Sequence, residues 1–286
     1  MLMTRRSFIR KSTLAMGATA LAARLAPSVY ARPLDLPIGF QTWVVRDVLA
    51  KDFAGTLRQM ASLGYQTLEM CSPPEYADSG FGPLASLKAA EMRRIIQDAG
   101  LRCESCHYPF EGLKANLDER IAFAKELGLA QMVISSFWLK EDAKLSDWQR
   151  QCDLANQAAE KVQKAGLQLG FHNHNFEVKQ LEGVLIYDAL MARFDPKLVK
   201  MQFQVAVISE GFEAATFFNK YPGRFISMHL ADWSPAEKKA VPIGQGIVDW
   251  KKLFAAAKTG GVKNYFVEMD VPTLKPSCEY LQGLAV

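Results

Sequence analysis

The chain has 286 residues, of which 49% are apolar and 22% are charged, so it is long enough and apolar enough to bury a large core. Its formal net charge is +4, but residues 1–31 contain five basic and no acidic side chains. Subtracting those five charges from +4 leaves −1 for the remainder. A nearly neutral domain offers no electrostatic case for binding nucleic acid or an anionic membrane, and we expect neither partner.

The first 31 residues predict an export signal. The run 4–11 contains the pair Arg5-Arg6 and resembles the twin-arginine signature, and a stretch of small apolar residues follows it. Val29-Tyr30-Ala31 is typical of a cleavage site. A membrane anchor is the weaker alternative, because the apolar stretch is shorter than the ~20 residues of a span and contains Arg24. We therefore expect a periplasmic or otherwise exported protein, with no stable membrane insertion once the signal is removed.

Residues 32–286 repeat one pattern, in which an amphipathic helix ends at a glycine and a short apolar run follows. Gly64, Gly100, Gly128 and Gly166 hold this position, where glycine supplies the left-handed conformation that ends a helix. The predicted strands lie near 38–44, 65–71, 102–107, 131–136, 168–174, 199–206, 225–231 and 265–270. The predicted helices lie near 52–63, 84–99, 116–127, 146–165, 184–193, 212–220, 249–258 and 275–283.

Eight such βα units predict an α/β fold that consists of a single (β/α)₈ TIM barrel over residues 32–286. A doubly wound open sheet is the alternative. That fold usually has a glycine-rich phosphate-binding turn after its first strand, and residues 39–43 do not form one.

The four histidines of the sequence all fall at the carboxyl ends of predicted strands. His107 ends the third strand, His172 and His174 end the fifth, and His229 ends the seventh. Because the apolar positions of a barrel strand face the helices, alternation directs His172, His174 and His229 into the barrel. Active sites of TIM barrels are built at this end of the strands.

The same alternation directs Glu69 of the second strand, Gln204 of the sixth and Glu268 of the eighth toward one mouth. Imidazoles, carboxylates and one amide suit Mn²⁺, Zn²⁺, Co²⁺ or Fe²⁺ better than Ca²⁺. We therefore predict one bound divalent metal ion. The alternative is a polar network that only fills the top of the barrel.

Five segments of the sequence have the character of family motifs: Gly170-Phe171-His172-Asn173-His174-Asn175-Phe176-Glu177, Tyr221-Pro222-Gly223-Arg224-Phe225, Met228-His229-Leu230-Ala231-Asp232, Ile243-Gly244-Gln245-Gly246-Ile247-Val248-Asp249-Trp250 and Val267-Glu268-Met269-Asp270. They resemble the xylose isomerase-like TIM barrels, which include sugar phosphate isomerases and epimerases. The resemblance covers essentially all of residues 32–286 and is most specific between 221 and 270.

The resemblance implies a metal held by residues of the last four strands. His229 and Glu268 match the family's ligands on the seventh and eighth strands, and His172, with His174 beside it, stands in place of the fifth-strand carboxylate. Ala206 stands for the family's sixth-strand aspartate, with Gln204 the nearest inward polar side chain. The implied ligands are His172, Gln204, His229 and Glu268, and two carboxylates of the family pattern are missing.

The resemblance also implies an enzyme that isomerises or epimerises a keto-sugar or sugar derivative through a metal-stabilised enediolate. Proton transfer falls to Glu268, Glu177 and His174. The same proton abstraction can instead open a 3-keto-glycoside, which makes a lyase the alternative reaction. We expect a small carbohydrate substrate, and the sequence leaves the oligomeric state open, a homo-oligomer included. The residues expected to contact or support the substrate are Glu69, His107, Trp233 and Asp232, the last of which is also a candidate to orient His229.

Two other functions compete with this interpretation. A nuclease of the related endonuclease barrels requires more histidines and a basic face, which the nearly neutral domain lacks. A non-catalytic exported sugar-binding protein is the other alternative, because the missing carboxylates would remove the chemistry.

Overall fold

The computed structural model describes residues 32–286, and these form a closed barrel of eight parallel strands. Each strand pairs with its neighbours in sequence, and the first pairs with the last to close the barrel. This confirms the predicted single (β/α)₈ barrel, whereas the predicted signal at residues 1–31 lies outside the described residues. The strands are β1 (Gly39–Gln41), β2 (Thr67–Cys71), β3 (Arg102–Tyr108), β4 (Gln131–Ile134), β5 (Gln168–His172), β6 (Val199–Gln204), β7 (Phe225–Leu230) and β8 (Asn264–Val267).

One main helix follows each barrel strand and packs against the outside of the barrel. The helices are α1 (Phe53–Ser62), α2 (Ala89–Asp98), α3 (Leu117–Leu127), α4 (Leu145–Lys164), α5 (Ile186–Arg193), α6 (Ala214–Lys220), α7 (Trp250–Gly260) and α8 (Val271–Gly283). Shorter helices and turns occupy several βα loops, at Thr42–Val45, Arg46–Leu49, Ala77–Ser79, Gly82–Leu84, Phe110–Ala115 and Val205–Glu210. No helix among residues 32–286 is both long and apolar enough to cross a membrane.

The wall of the barrel is apolar on its outer face and polar on its inner face. Phe40, Leu68, Phe171 and Phe203 are fully or almost fully buried and belong to the continuous apolar core. Burial of such side chains is the main force that holds the helices on the sheet. The interior instead carries buried amides, hydroxyls and imidazoles, which pair with one another across the barrel.

Two predicted strands end earlier than the sequence pattern suggests. β5 ends at His172, so His174 lies in the following loop, and β6 ends at Gln204. The residues after Gln204 form a 3₁₀ helix, Val205–Glu210, in which the buried Val205 and Val207 continue the alternating apolar pattern of the strand. Ala206 therefore lies in the 3₁₀ helix beyond the sixth strand, and its equivalence to a ligating aspartate stays a prediction.

Candidate metal centre

Three imidazoles from alternate barrel strands meet at the carboxyl end of the barrel. His107 of β3, His172 of β5 and His229 of β7 are all buried, and one ligand nitrogen of each lies within 4.8 Å of the others. Their ring centroids are 4.5 to 5.1 Å apart. The interior of a TIM barrel is built in layers from alternate strands, which explains how residues distant in sequence come together.

His229 lies between two carboxylates. Its Nε2 is 2.8 Å from Glu69 Oε2, and its Nδ1 is 3.0 Å from Glu268 Oε2. Burial alone would lower the pKa of His229, but the charges of Glu268 and Glu69 outweigh burial and raise that pKa to about 10. Burial would raise the pKa of Glu268, yet the charge of His229 lowers it to about 2. His229 and Glu268 thus converge as the sequence predicts.

The other two imidazoles of the cluster favour the neutral state, which is the form that binds metals. Burial lowers the pKa of His172 well below its usual value, and burial likewise lowers the pKa of His107. His172 Nδ1 is buried and has no hydrogen-bond partner among residues 32–286. An unpaired buried nitrogen destabilises the fold unless something else satisfies it. The cluster therefore fits a metal ion.

Glu69 supports this cluster from below. Its side chain is completely buried and accepts hydrogen bonds from Gln41 Nε2 at 3.2 Å, Ser105 Oγ at 2.9 Å and Gln202 Nε2 at 2.7 Å. The same Gln202 accepts from His107 Nε2 at 2.6 Å through its Oε1. Glu69 thus fixes the histidines and does not face the cavity, which corrects its predicted role as a substrate contact.

Gln204 is the residue of β6 that faces the site, in register with His229 of β7. Its Nε2 donates to Glu268 Oε2 at 2.6 Å, and its Oε1 accepts from the backbone NH of Ala206 at 3.2 Å. Both ends of the amide are therefore engaged by the protein. In this arrangement Gln204 orients the Glu268 carboxylate, and its Oε1 keeps one lone pair, so its role as a metal ligand stays a prediction.

Glu177 holds the loop after β5. Its completely buried carboxylate accepts from the backbone NH of His174 at 2.7 Å and from Ser136 Oγ at 3.1 Å. Burial raises the pKa of Glu177 to about 8. Glu177 does not line the cavity beside the imidazoles. Its contacts support a role in positioning the backbone of His174 in place of the predicted role as a catalytic base.

Asp232 organises a different loop. Its carboxylate, 1% exposed, accepts hydrogen bonds from the backbone NH groups of residues 233, 244, 246 and 248 and from Trp250 Nε1. A side chain at Gly246 would collide with this carboxylate, because a Cβ there would lie 2.1 Å from Asp232 Oδ1. Both nitrogens of His229 face glutamates instead, so Asp232 does not orient His229. Trp233 lies half-buried in the hairpin after β7 and does not line the cavity beside the imidazoles.

A cavity of about 300 Å³ opens beside the imidazoles. Of the predicted site residues, His107, His172, His174 and Glu268 line it. Cys71, Tyr76 and Ser135 were missed, although their positions at the end of β2, in the loop after it and just after β4 are the signal that could have identified them. Burial lowers the pKa of His174 to about 4, and its Nδ1 is a second buried nitrogen without a described partner. The complete lining is Trp43, Cys71, Tyr76, His107, Ser135, Trp138, His172, His174 and Glu268.

Comparisons with known proteins agree with this architecture. A family model for the xylose isomerase-like TIM barrel matches residues 57–285. No curated protein sequence matches the chain. A sugar phosphate isomerase/epimerase from Parabacteroides distasonis is 25% identical, with 90% of this chain and 98% of that one covered and a TM-score of 0.73.

Two more distant structures share the fold. D-psicose 3-epimerase, determined in the presence of D-fructose, is 14% identical, with 86% of this chain and 96% of that one covered and a TM-score of 0.61. A xylose isomerase-like protein from Mycobacterium smegmatis in complex with magnesium is 16% identical, with coverages of 89% and 97% and a TM-score of 0.62. Because the family model spans nearly the whole barrel, this chain belongs to the xylose isomerase-like TIM barrel family.

Proposed function

We propose that the protein is a divalent-metal-dependent isomerase or epimerase of a keto-sugar or sugar derivative. One observation supports this most strongly: three buried imidazoles each bring one ligand nitrogen within 4.8 Å of the other two, beside a cavity of about 300 Å³ at the carboxyl end of the barrel. Family membership and the names of the similar structures supply the substrate class. The pattern of residues 1–31 adds the proposal that the enzyme acts after export to the periplasm.

The residues that would hold the metal are His107, His172 and His229, with the Glu268 carboxylate beside them. This donor set is richer in nitrogen than magnesium prefers, so we propose Zn²⁺, Mn²⁺, Co²⁺ or Fe²⁺ as the resident ion. When bound, the ion would polarise a substrate carbonyl and so acidify the adjacent C–H bond.

Proton transfer falls to His174 in this proposal. His174 lines the cavity, and its Nδ1 has no partner among the described residues. Burial lowers its pKa to about 4, so the imidazole is neutral near pH 7 and is a stronger base than Glu268. Glu177 fixes the backbone of His174 through the 2.7 Å hydrogen bond to its NH. Glu268, with its pKa lowered to about 2 by His229, is a weak base and serves chiefly as a fixed negative charge.

Deuterium exchange tests the proposed reaction. Metal-loaded protein is incubated in D₂O with a panel of keto-sugars and 3-keto-glycosides, and exchange is followed by NMR. We expect deuterium at the carbon beside the carbonyl, loss of exchange after chelation, and recovery with Mn²⁺ or Zn²⁺. His174→Asn should slow exchange by about 100-fold, the usual contribution of a positioned acid or base, without changing metal affinity.

Asn175→Ala provides the matched control, because Asn175 is the exposed neighbour of His174. This variant should exchange deuterium at the wild-type rate. Metal-loaded protein that exchanges no substrate of the panel would support the non-catalytic sugar-binding alternative. Exchange accompanied by release of an aglycone would identify the lyase.

A further inference from the structure

A second cavity, also of about 300 Å³, adjoins the first on the outer side of the β4 and β5 loops. Its apolar wall includes Trp148, Phe176, Leu181 and Ile186, and charged side chains such as Lys140 stand at its margin. Trp138 lines both cavities. Volumes of about 300 Å³ lie at the small end of the range for ligand pockets, so each cavity suits one ring rather than an extended ligand.

Trp138 occupies an unfavourable position for so large an apolar residue. Its side chain is 55% exposed, and its backbone has φ of +49°, in the left-handed region that bulky residues seldom adopt. The left-handed backbone costs stability in the free protein, and the exposed ring contributes little burial free energy to offset that cost. Residues held in such conformations cluster at ligand-binding sites, where the surrounding structure maintains them.

The indole contacts two other rings, to which it is tilted by 53° and 50°. Its centroid lies 5.0 Å from that of His174 and 5.7 Å from that of Phe176. His174 and Phe176 stack on each other at 5.2 Å with an interplanar angle of 6°. His174 faces the first cavity and Phe176 the second, so the three rings form a partition between them. Trp138 is the exposed end of that partition.

We propose that the second cavity is a binding subsite for a second ring, and that the substrate is a glycoside of two ring units. The reacting sugar ring occupies the histidine-lined cavity, which rests on the proposed function. The attached ring, an aryl aglycone or a second sugar, stacks on Trp138 and Phe176 through its flat face. Trp138 is thus the residue that selects two-ring substrates over single sugars.

The test compares methyl and phenyl 3-keto-glucosides and a 3-keto-disaccharide, each as both anomers, with the metal-loaded protein. Dissociation constants are measured by calorimetry, and deuterium exchange is followed in the same samples. At least one two-ring compound should bind about tenfold more tightly than its methyl counterpart. If the phenyl compound binds more tightly than the disaccharide, the second ring is an aryl aglycone. If the disaccharide binds more tightly, the second ring is a sugar.

Trp138→Gly is the decisive variant, because glycine accepts the left-handed backbone and removes only the ring. It should reduce the two-ring preference, the ratio of the methyl glucoside dissociation constant to that of the two-ring compound, to less than twofold, with an undiminished melting temperature. Trp138→Phe should retain most of the preference. Tyr280→Ala, which removes an exposed aromatic ring of α8 outside both cavity linings, should retain all of it.

The outcomes separate the two proposals. Exchange with methyl glucosides but no two-ring preference overturns the subsite and leaves the proposed function intact. A two-ring preference that Trp138→Gly abolishes, without any deuterium exchange, supports the subsite and overturns the proposed reaction. A preference that survives in Trp138→Gly, or no binding of any compound, overturns the subsite.

Discussion

Two buried polar clusters of the barrel, one around Asp232 and one around His229, show how differently polar groups can be used. Asp232, after β7, accepts five hydrogen bonds, and every donor lies between residues 233 and 250. All five donors are neutral, and all five belong to one short stretch of chain. This cluster is closed and satisfied, so its effect is to fix the shape of a loop.

The cluster around His229 has the opposite character. It joins titratable groups from β2, β3, β5, β7 and the end of β8, and it leaves the Nδ1 atoms of His172 and His174 without described partners. Unpaired buried nitrogens cost stability, so this region is poorly optimised for folding alone. The two clusters therefore differ in one respect: both oxygens of Asp232 have donors within one loop, whereas the His229 cluster keeps unpaired imidazole nitrogens beside a cavity.

The largest expected effect concerns metal binding by the His229 cluster. His172→Leu removes both imidazole nitrogens and fills a similar volume, so affinity for Zn²⁺ should fall by more than about 100-fold, beyond the loss typical of outer residues. The melting temperature in the presence of a chelator should fall by only a few degrees, because Nδ1 has no partner and leucine refills the buried volume with apolar atoms. Competition titration with a chromophoric chelator and thermal unfolding check both parts. Wild-type affinity in this variant would exclude His172 as a ligand.

Substitution of Asp232 should have the reverse effect, which is a loss of stability with little change in metal affinity. Asp232→Ala leaves five donors without their acceptor, and we expect a loss of about 3 kcal/mol in the free energy of unfolding. In a domain of this size that corresponds to a melting temperature lower by roughly 10 °C. Zn²⁺ affinity of the folded variant should remain within about threefold of wild type. A variant that loses metal affinity without losing stability would break the comparison.

The pKa values predict how metal and protons compete at His229. Without metal, its pKa of about 10 lies above the ordinary 6.5, so its stabilising contribution is complete below pH 6.5 and is lost as pH rises through 10. Glu268, lowered to about 2, contributes above pH 4.5 and loses that contribution only as pH falls through 2. Metal-free protein should therefore become less stable from pH 6.5 upward.

Because a ligating imidazole must be deprotonated, metal binding should release about one proton at pH 7 and tighten by about tenfold per pH unit between pH 6 and 8. Calorimetry of Mn²⁺ binding in buffers of different ionisation enthalpy measures the proton release. An affinity independent of pH in this range would show that His229 is already neutral, and that its two carboxylate contacts are weaker than the structure indicates.

The sequence predicts the fold well, because each βα unit is specified locally by helix periodicity, a terminal glycine and a short apolar run. Alternation along the strands also directs His172, His229 and Glu268 correctly. His107 was predicted to contact sugar, and its place among the three imidazoles depends on the layering of β3 with β5 and β7, which no local pattern reveals.

The roles of Glu177 and Asp232 could not be predicted for a different reason. Their partners are mainly backbone NH groups, whose positions depend on loop conformations that the sequence does not specify. The end of β6 was predicted two residues too late, because Val205 and Val207 are buried in a 3₁₀ helix and so repeat the apolar pattern of the strand before them. The positive φ of Trp138 has no sequence signal either, since tryptophan is a poor choice for that conformation.

The smallest predicted effect tests whether β6 ends at Gln204. Gln204→Asp places a carboxylate at the end of β6, beside Glu268 and in register with His229, where added negative charge should tighten Zn²⁺ binding by threefold to about tenfold. Without metal the new carboxylate loses the hydrogen bond to Glu268 and repels it, so the chelated variant should melt several degrees lower. Ala206→Asp is the matched control: the same charge sits in the 3₁₀ helix beyond the strand and should change affinity by less than twofold. If Ala206→Asp tightened binding and Gln204→Asp did not, residue 206 would face the metal in solution, and the strand would extend as its apolar pattern first indicated.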